Sequence, residues 1–395
     1  MNRTRFVAAA VLAVLSLIAA ACGDGGAEPT TGAPTTTAAP TTTAAPSTTT
    51  TAASTTTTTL PVSQMCEVAG TGGIDDGAFG EAVWAGLAGA RDRLGVEILF
   101  RAAEAAGYRD SIDWFVDEGC DLIITIGADM EADTADAACE LPEQLFAIVG
   151  AAPVAGSGSA WGDAGGALRC DYANVRGITF ATEEAAFLAG YLAAGMSDSR
   201  KVGTFGSADT VPVTALMAGF AAGARYYGAS TGLIVQVLGW DPENPEAALF
   251  TGLEDPEQAG LIAESLAATG VDVILAVAGA LGRSGVAVAA ERGILVIGGA
   301  GDTFLADDEF AAIWLTSLVE NADAPVLDTV TAVVERGGPG GPYLGTRANG
   351  GVGLAPYRVL EAEVPADLAD AVDQLVADIA AAGGLAAFLA SADDS

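Results

Sequence analysis

The stretch GCDLIITIG, residues 119–127, decides the fold. Its uninterrupted apolar run between two glycines is typical of a strand buried on both faces of a parallel sheet. Similar runs and amphipathic helical stretches alternate around it. They predict strands at 65–69, 96–101, 122–126 and 145–149, and helices at 79–94, 110–118 and 132–139. This alternation predicts an α/β fold with a doubly wound parallel sheet.

The same alternation is repeated in the second half of the folded part. Helices are predicted at 182–194, 212–227, 256–268 and 282–292, and strands at 201–206, 233–237, 273–276 and 295–297. About 330 residues are too many for one ordinary core, so we expect two lobes with a cleft between them. Ligands of open α/β sheets bind outside the carboxyl ends of the strands, which makes the loops there the candidate site.

The first 61 residues predict where in the cell the protein is located. A short apolar segment, 7–21, follows Arg3 and Arg5 and ends in three alanines before Cys22. It predicts a signal peptide over 1–21, because it is too short for a membrane span. Cys22 resembles the acylated cysteine of a bacterial lipobox, although an ordinary signal peptide with a chance cysteine is the alternative. The Thr/Ala/Pro-rich residues 22–61 predict a disordered tether that holds the lobes on the outer face of the cell membrane.

Composition excludes several functions. Removal of Arg3 and Arg5 with the signal leaves 14 basic and 51 acidic residues, a net charge of −37. That field repels phosphate backbones, so we expect no nucleic-acid partner, although acidity also serves solubility. The chain contains no histidine, which excludes histidine-based nucleophilic catalysis and HExxH metal sites. Its one lysine, Lys201, opens an apolar strand and does not indicate Schiff-base chemistry.

Four cysteines beyond Cys22 indicate disulfides, because the chain is predicted to be exported. Cys66 starts the first strand and Cys120 precedes the third, and these positions meet at one edge of a 2-1-3 parallel sheet. We therefore predict the pairs Cys66–Cys120 and Cys139–Cys170. A metal site is the weaker alternative, since neither CxxC spacing nor histidine accompanies the cysteines.

The loop after the first strand, GTGGIDDGAFGEAVWAGL at 70–87, is the sharpest motif. Its glycines allow a close turn, and Asp75 or Asp76 is placed to cap the following helix. Phe79 is projected from the first turn of that helix, where an aromatic ring stacks on a planar ligand. The alternative for Phe79 is a packing role in the core.

This loop resembles GGIDDxSFNxxxWxGL, the opening motif of the basic membrane protein family, the nucleoside-binding lipoproteins of ABC importers. Further matches follow in the expected order, including GCDLIITIG, ANVRGITFATEEAAFLAGYLAA at 173–194, KVGTFG at 201–206 and NGGVGLAPY at 349–357. The resemblance covers essentially everything after the tether. It implies a type I periplasmic-binding-protein fold, a nucleoside-like small-molecule ligand, a permease partner, a monomer and no cofactor.

The resemblance also implies how the chain divides into lobes. The first lobe is expected to take 62–178 plus about 301–340, and the second 179–300 plus about 341–390. Three crossovers are expected near 178–181, 298–303 and 341–346.

In the family a purine lies between two aromatic rings, one from each lobe. Phe79 matches the first by motif, and Trp240, after a strand of the second lobe, is our prediction for the other, with inter-lobe packing as its alternative. Gly279 and Gly282 are expected to let the ligand approach the backbone, or serve as plain turn residues, and Gly127 is a further predicted ligand contact. Asp75, Asp76 and Asp302 complete the predicted ligand-binding set.

The chain departs from the family where the ribose is recognised. Gly80 replaces an asparagine, Gly150 an aspartate, Ala300 an aspartate and Glu320 a lysine. Loss of these polar groups removes the discrimination that they give. We therefore expect altered specificity, for a less hydroxylated heterocycle or a cation, although the acids also suit solvated or capping roles.

Capture of an external solute for an ABC permease, without chemistry on the ligand, is the function that these observations favour. A surface sensor that keeps the fold without transport is the alternative. An enzyme would need a carboxylate pair, with Asp75, Asp76, Asp302 and Glu320 as the candidates.

Overall fold

The computed structural model describes residues 63–75, 79–156, 159–252, 254–299 and 301–393. The predicted signal peptide, Cys22 and the predicted tether therefore lie outside the described residues. Strands in the described part run over β1 Gln64–Ala69, β2 Glu97–Ala102, β3 Leu122–Ile126, β4 Leu145–Val149, β5 Val175–Phe180, β6 Lys201–Gly206, β7 Gln236–Leu238, β8 Val273–Val277, β9 Leu295–Gly298, β10 Trp314–Glu320, β11 Tyr343–Gly345 and β12 Val352–Leu354.

The strands form two six-stranded sheets, and each sheet is the centre of one lobe. The first has the order β11-β5-β4-β3-β1-β2 and the second β12-β10-β9-β8-β6-β7. Neighbouring strands are parallel except β12, which runs antiparallel to β10. The α/β fold with two parallel sheets and the 2-1-3 order of the first strands are confirmed.

Helices cover both faces of each sheet. They are α1 Phe79–Leu94, α2 Tyr108–Glu118, α3 Glu131–Glu140, α4 Thr182–Met196, α5 Val211–Thr231, α6 Gln258–Ala268, α7 Arg283–Arg292, α8 Thr303–Ala306, α9 Asp323–Arg336, α10 Ala366–Ala382 and α11 Leu385–Asp393. In the first lobe, α1 and α9 pack on one face of the sheet, and α2 and α3 on the other. In the second lobe, α4, α5, α10 and α11 cover one face, and α6 and α7 the opposite one.

Small residues explain how closely α4 and α5 pack. A Cβ on Gly190 would lie 1.9 Å from the carbonyl oxygen of Phe220, and one on Gly223 would lie 1.8 Å from that of Phe187. No other residue type fits these two positions without moving a helix. The Ala/Gly-rich composition therefore brings two helix backbones together in the second lobe.

The chain passes between the lobes three times in the described part. The first passage is at Ala181, between β5 and α4, and the third joins β11 to β12. Both passages overlap the ranges predicted for them. The second is a correction. The second passage follows Glu320 and does not lie at 298–303, because β10 pairs with β9 in the second sheet. The next helix, α9, packs on the first sheet.

Direct backbone hydrogen bonds hold the three passages side by side. The amide of Ala181 donates to the carbonyl of Gly345 at 2.7 Å, which joins the first passage to the third. The amide of Asn321 donates to the carbonyl of Gly351 at 2.8 Å, which joins the second to the third. A Cβ on Gly351 would lie 2.3 Å from the α-carbon of Gly345, so the chain needs glycine here. The passages form one hydrogen-bonded hinge.

The strand predicted at 233–237 begins later, at Gln236. Gly232, with φ +71°, ends α5, and the amide of Leu233 donates to the carbonyl of Gly228. Ile234 is 81% exposed. The apolar residues at 233–234 therefore form the helix end and a loop rather than a strand.

Both predicted disulfides are present. Cys66–Cys120 joins the third residue of β1 to the second residue before β3, with 6.1 Å between the α-carbons. Cys139–Cys170 joins the end of α3 to the loop before β5, with 5.8 Å between the α-carbons. The first pair is fully buried and the second is partly exposed.

No single helix in the described residues is long and apolar enough to cross a membrane. Taken together, α10 and residues 385–392 of α11 are long and apolar enough, although the two helices are bent by 97° relative to each other. The buried residues of α10, such as Val372 and Leu375, pack in the core of the second lobe.

Candidate functional site

A cavity of about 520 Å³ lies where the carboxyl ends of both sheets face each other. The first lobe contributes the start of α1 and the ends of β4 and β5, and the second contributes the loops after β6, β8 and β9, the end of β10 and the starts of α4 and α5. The lining residues in the described part are Phe79, Gly150, Thr179, Phe180, Thr182, Glu183, Ser207, Val211, Pro212, Val213, Ala215, Leu216, Val277, Gly279, Gly299 and Glu320. This is the position at which α/β sheets bind ligands.

Two stacked phenylalanines form the aromatic wall of the cavity. Phe79 begins α1, and Phe180 ends β5 at the first passage between the lobes. Their ring centroids are 5.5 Å apart with 29° between the ring planes, and the ring of Tyr343 meets Phe180 edge-on at 6.4 Å. Phe180 also packs on the hinge, because a Cβ on Gly345 would lie 2.5 Å from its ring. The aromatic wall and the hinge are therefore in direct contact.

Glycines leave room beside these rings. Gly150 has φ +88°, and a Cβ there would lie 3.6 Å from both the Phe79 ring and the α-carbon of Gly127. Gly279 has φ +52° and nothing within 4 Å of an added Cβ, so its α-carbon faces open space. The structure thus places Gly150 and Gly279 on the cavity, with Gly127 next to Gly150.

Two carboxylates, Glu320 and Glu183, also line the cavity. Glu320 ends β10 and Glu183 lies in the first turn of α4, and both are partly buried. Burial raises the pKa of Glu320 from 4.5 to about 7. Such a pKa leaves the carboxyl partly protonated at neutral pH in the absence of a ligand.

Three other predicted residues do not line this cavity. Asp75 is exposed at the end of the loop before α1. Asp302 precedes α8 and its Oδ2 accepts a hydrogen bond from the guanidinium of Arg358. Trp240 packs partly buried against the core of the second lobe. Asp76 and Ala300 lie outside the described residues.

Asp302 and Trp240 each keep an unsatisfied polar atom. Asp302 Oδ1 and Trp240 Nε1 are buried, and neither has a hydrogen-bond partner among the residues that the structure describes. A buried polar atom without a partner costs about 1–3 kcal/mol, which a ligand or water repays. Ligand contact by these two residues stays a prediction.

Phe180, like Glu183, is a site residue that sequence reasoning did not single out. It lies in the motif ANVRGITFATEE, directly before the helix that opens the second lobe. The sequence does contain a signal for Phe180, namely an aromatic residue at the carboxyl end of a strand that precedes a crossover. Such strand ends face the cleft.

Of the four positions predicted to depart from the family pattern, the three that the structure describes lie at the cavity or next to a lining residue. Gly150 and Glu320 line it, and Gly80 is buried in the first turn of α1 behind Phe79. In the described residues, no group of three or more His, Cys, Asp or Glu is placed to hold a metal ion. The cavity is thus an aromatic and aliphatic chamber with two acids and a few hydroxyls.

Comparisons with known proteins agree with this architecture. A family model described as ABC transporter substrate-binding protein PnrA-like matches residues 64–364. Basic membrane protein A of Borreliella burgdorferi is 27% identical over 222 residues, 56% of this chain and 58% of that protein. The ABC transporter nucleoside-binding protein BmpA of Lactococcus lactis subsp. cremoris is 25% identical over 220 residues, 54% of this chain and 55% of its own length. The chain thus matches somewhat more than half of each relative.

A solved structure shows the same fold. The solute-binding protein of an ABC transporter system from Aeropyrum pernix K1 superposes with a TM-score of 0.63 at 23% identity, over 81% of this chain and 91% of that one. This likeness confirms the predicted two-lobed periplasmic-binding-protein fold. Because the family model extends from the first residue of β1 to beyond β12, the chain belongs to the Bmp family of PnrA-like ABC transporter substrate-binding proteins.

Proposed function

We propose that this chain captures a small molecule outside the cell and delivers it, chemically unchanged, to the permease of an ABC importer. The observation that carries the proposal is the cavity at the facing carboxyl ends of the two sheets, lined from both lobes. A ligand that touches both lobes favours the closed arrangement by its difference in affinity for the two states. The hydrogen-bonded hinge at Ala181, Asn321 and Gly345 supports a motion of one lobe against the other.

The ligand class that we propose is a nucleoside or a related heterocycle. The name of the Lactococcus lactis relative, a nucleoside-binding protein, supports it, as does the aromatic wall of Phe79 and Phe180. The family pattern predicts polar side chains at 80 and 150 and a basic one at 320, but this chain has two glycines and a glutamate there. We therefore propose that its specificity has changed. Asp75, Asp76, Gly127, Trp240 and Asp302 remain proposed contacts beside the lining residues.

We further propose that Cys22 is acylated and anchors the protein on the outer face of the cell membrane, with residues 22–61 as the tether. The sequence around the cysteine supports this. Replacement of Cys22 by serine should move the protein from the membrane fraction to the medium or the soluble fraction. Retention of the variant in the membrane would contradict the anchor.

Ligand capture is tested on the purified protein with a panel of nucleosides, free bases and sugars. A ligand at 100 times its dissociation constant stabilises by about 2.7 kcal/mol, which a thermal-shift assay detects. Closure should then appear in small-angle X-ray scattering as a smaller radius of gyration, and mass spectrometry should recover the ligand unchanged. If no small molecule both stabilises the protein and closes it, the proposal fails.

A further inference from the structure

We propose that the cavity is specific for a ring-containing organic cation, held by the aromatic pair Phe79–Phe180 and by the carboxylates of Glu320 and Glu183. This inference rests on the proposed function, because it names the class of solute that the closing lobes capture.

The charge of the cavity walls has one sign. Among the described lining residues the only ionisable side chains are Glu183 and Glu320, and none is arginine or lysine. The undescribed positions 76–78 and 300, next in sequence to lining residues, are Asp, Gly, Ala and Ala and bring no basic group. A phosphate or carboxylate ligand would meet repulsion and no counter-charge.

Neither carboxylate is already neutralised by the protein. Ion pairs such as Arg358–Asp302 and Arg283–Asp307 occur elsewhere on the second lobe. Within the described part of the chain, the side chains of Glu183 and Glu320 take part in no ion pair and in no side-chain hydrogen bond. Their oxygens are thus available to a ligand.

Closure of the lobes makes the negative charge of Glu183 and Glu320 energetically unfavourable unless the ligand is positively charged. When the lobes close, water leaves the cavity and both carboxylates lose hydration. A neutral ligand would leave two desolvated negative charges in the cavity or force their protonation, whereas a cation would compensate them. A cationic ligand is therefore the class that favours the closed state most.

The remaining walls suit the apolar body of such a ligand. The faces of Phe79 and Phe180 attract a cation through their π-systems, and a ring stacks on the same surface. Val213 and Leu216 line the opposite side from α5, and Val211, which is 82% exposed, stands at the start of that helix ready to be covered on closure. A volume of about 520 Å³ suits a molecule of one or two rings.

The chain as a whole attracts the same class. Its formal net charge at pH 7 is −35, so its field draws cations from solution and repels anions. This long-range field does not select a particular ligand, but it is negative, like the charge of the cavity walls.

The test uses two matched pairs of probes that differ only in charge. 1-Methylnicotinamide is a planar cation and 3-methylbenzamide is its neutral carbocyclic isostere. (3-Carbamoylphenyl)trimethylammonium and 3-tert-butylbenzamide, neither of which titrates at mildly alkaline pH, form the second pair. Affinities for the purified full-length protein are measured by isothermal titration calorimetry at pH 8.5, above the pKa of about 7 of Glu320. We expect each cation to bind at least tenfold more tightly than its isostere.

Variants assign that preference to the cavity. Glu320→Gln should reduce the affinity for the cations at least tenfold and leave that for the neutral isosteres unchanged, which also shows that the variant is folded. Glu183→Gln should act in the same direction. Glu335→Gln makes the same change in net charge at an exposed position of α9 outside the cavity, and it should change the cation affinities less than twofold.

The outcomes separate this inference from the proposed function. If the neutral isosteres bind as tightly as the cations, if neither cation binds at 10 mM, or if Glu320→Gln has no effect on cation binding, the cation proposal is overturned. A neutral nucleoside such as inosine that closes the lobes while both cations fail would overturn the charge class alone. The absence of closure with every probe and every nucleoside would overturn the proposed function itself.

Discussion

The rings of Phe79 and Phe180 stack at a centroid distance of 5.5 Å, with 29° between their planes. One ring begins a helix after the first strand and the other ends the strand at the first passage, 101 positions later in the chain. Because Phe180 also packs on Gly345 in the hinge, a ligand that contacts this pair acts on the segment that must bend when the lobes close.

The aromatic pair gives the first prediction. Phe180→Ala should weaken binding of any solute that stabilises the protein by about tenfold, because one stacked ring contributes about 0.5–1.5 kcal/mol beyond its buried area. Calorimetric titration measures the change. Phe100→Ala is the matched control, since Phe100 is paired with Trp84 at the same 5.5 Å distance but does not line the cavity.

The same experiment decides between Phe180 and Trp240 as the second aromatic contact. Trp240→Phe keeps an apolar ring against the core of the second lobe and removes the buried indole N–H. If Trp240→Phe weakens binding and Phe180→Ala does not, Trp240 is the ligand contact and the Phe79–Phe180 wall is only a packing element.

Sequence patterns predicted the parts of this fold that depend on local order. The run LIITI gave β3 with its exact bounds, and the motif at 70–87 placed Phe79 at the start of α1. Sheet membership is different, because it depends on which strand is the neighbour in space. For that reason β10 was expected in the first lobe but pairs with β9 in the second.

Site chemistry was less predictable for a related reason. Asp302 reads as a free carboxylate in the sequence, yet it pairs with Arg358, 56 positions away. Glu320 reads as an ordinary acid, and only its burial at the end of β10 shifts its titration. Contacts and burial of this kind are set by the packing of distant segments, which no local pattern encodes.

The raised pKa of Glu320 predicts a pH-dependent stability. Its folded-state pKa of about 7 exceeds the ordinary value of 4.5, so the folded protein binds the proton more tightly than the unfolded chain. The resulting stability is fully present below pH 4.5 and is lost as the pH rises through 7. Glu320→Gln should therefore be about 3 kcal/mol more stable than the parent at pH 8 and nearly equal to it at pH 4.

Urea unfolding at the two pH values checks this prediction. The exposed Glu335→Gln variant is the control and should follow the parent at both. Equal stability of Glu320→Gln and the parent at pH 8 would show that the carboxylate is not desolvated.

The two disulfides should be reduced in a fixed order. Cys66 is fully buried and Cys120 is 3% exposed, whereas Cys139 and Cys170 are partly exposed. Thiol exchange requires access of the attacking thiolate to a sulfur atom, so Cys139–Cys170 should open first under mild reductant. Timed alkylation followed by peptide mass spectrometry measures the order. Simultaneous loss of both pairs would show that reduction follows unfolding.

An ion pair between a buried arginine, Arg176, and Asp328, whose side chain is 58% exposed, holds the segment that returns from the second lobe. Arg176 in β5 is 6% exposed, and its guanidinium donates to Asp328 Oδ2 at 2.8 Å and to Thr329 Oγ1 at 3.1 Å, both on α9. Asp328→Ala would leave this cation with no carboxylate partner in the described structure. We expect a loss of about 2 kcal/mol in the free energy of unfolding, because removal of one member leaves a buried charge uncompensated.

The control for that prediction is the pair Arg292–Glu264, whose side chains are 53% and 43% exposed. Glu264→Ala should cost less than about 1 kcal/mol, since exposed ion pairs contribute little. Hydrogen exchange gives an independent readout, because α9 is the element that Arg176 ties to the first sheet. Its amides should exchange faster in Asp328→Ala while those of α7 do not. If both variants lose the same stability, or if α9 keeps its protection, the pair does not anchor the returning segment and the apolar contacts of Val326 and Val330 carry it instead.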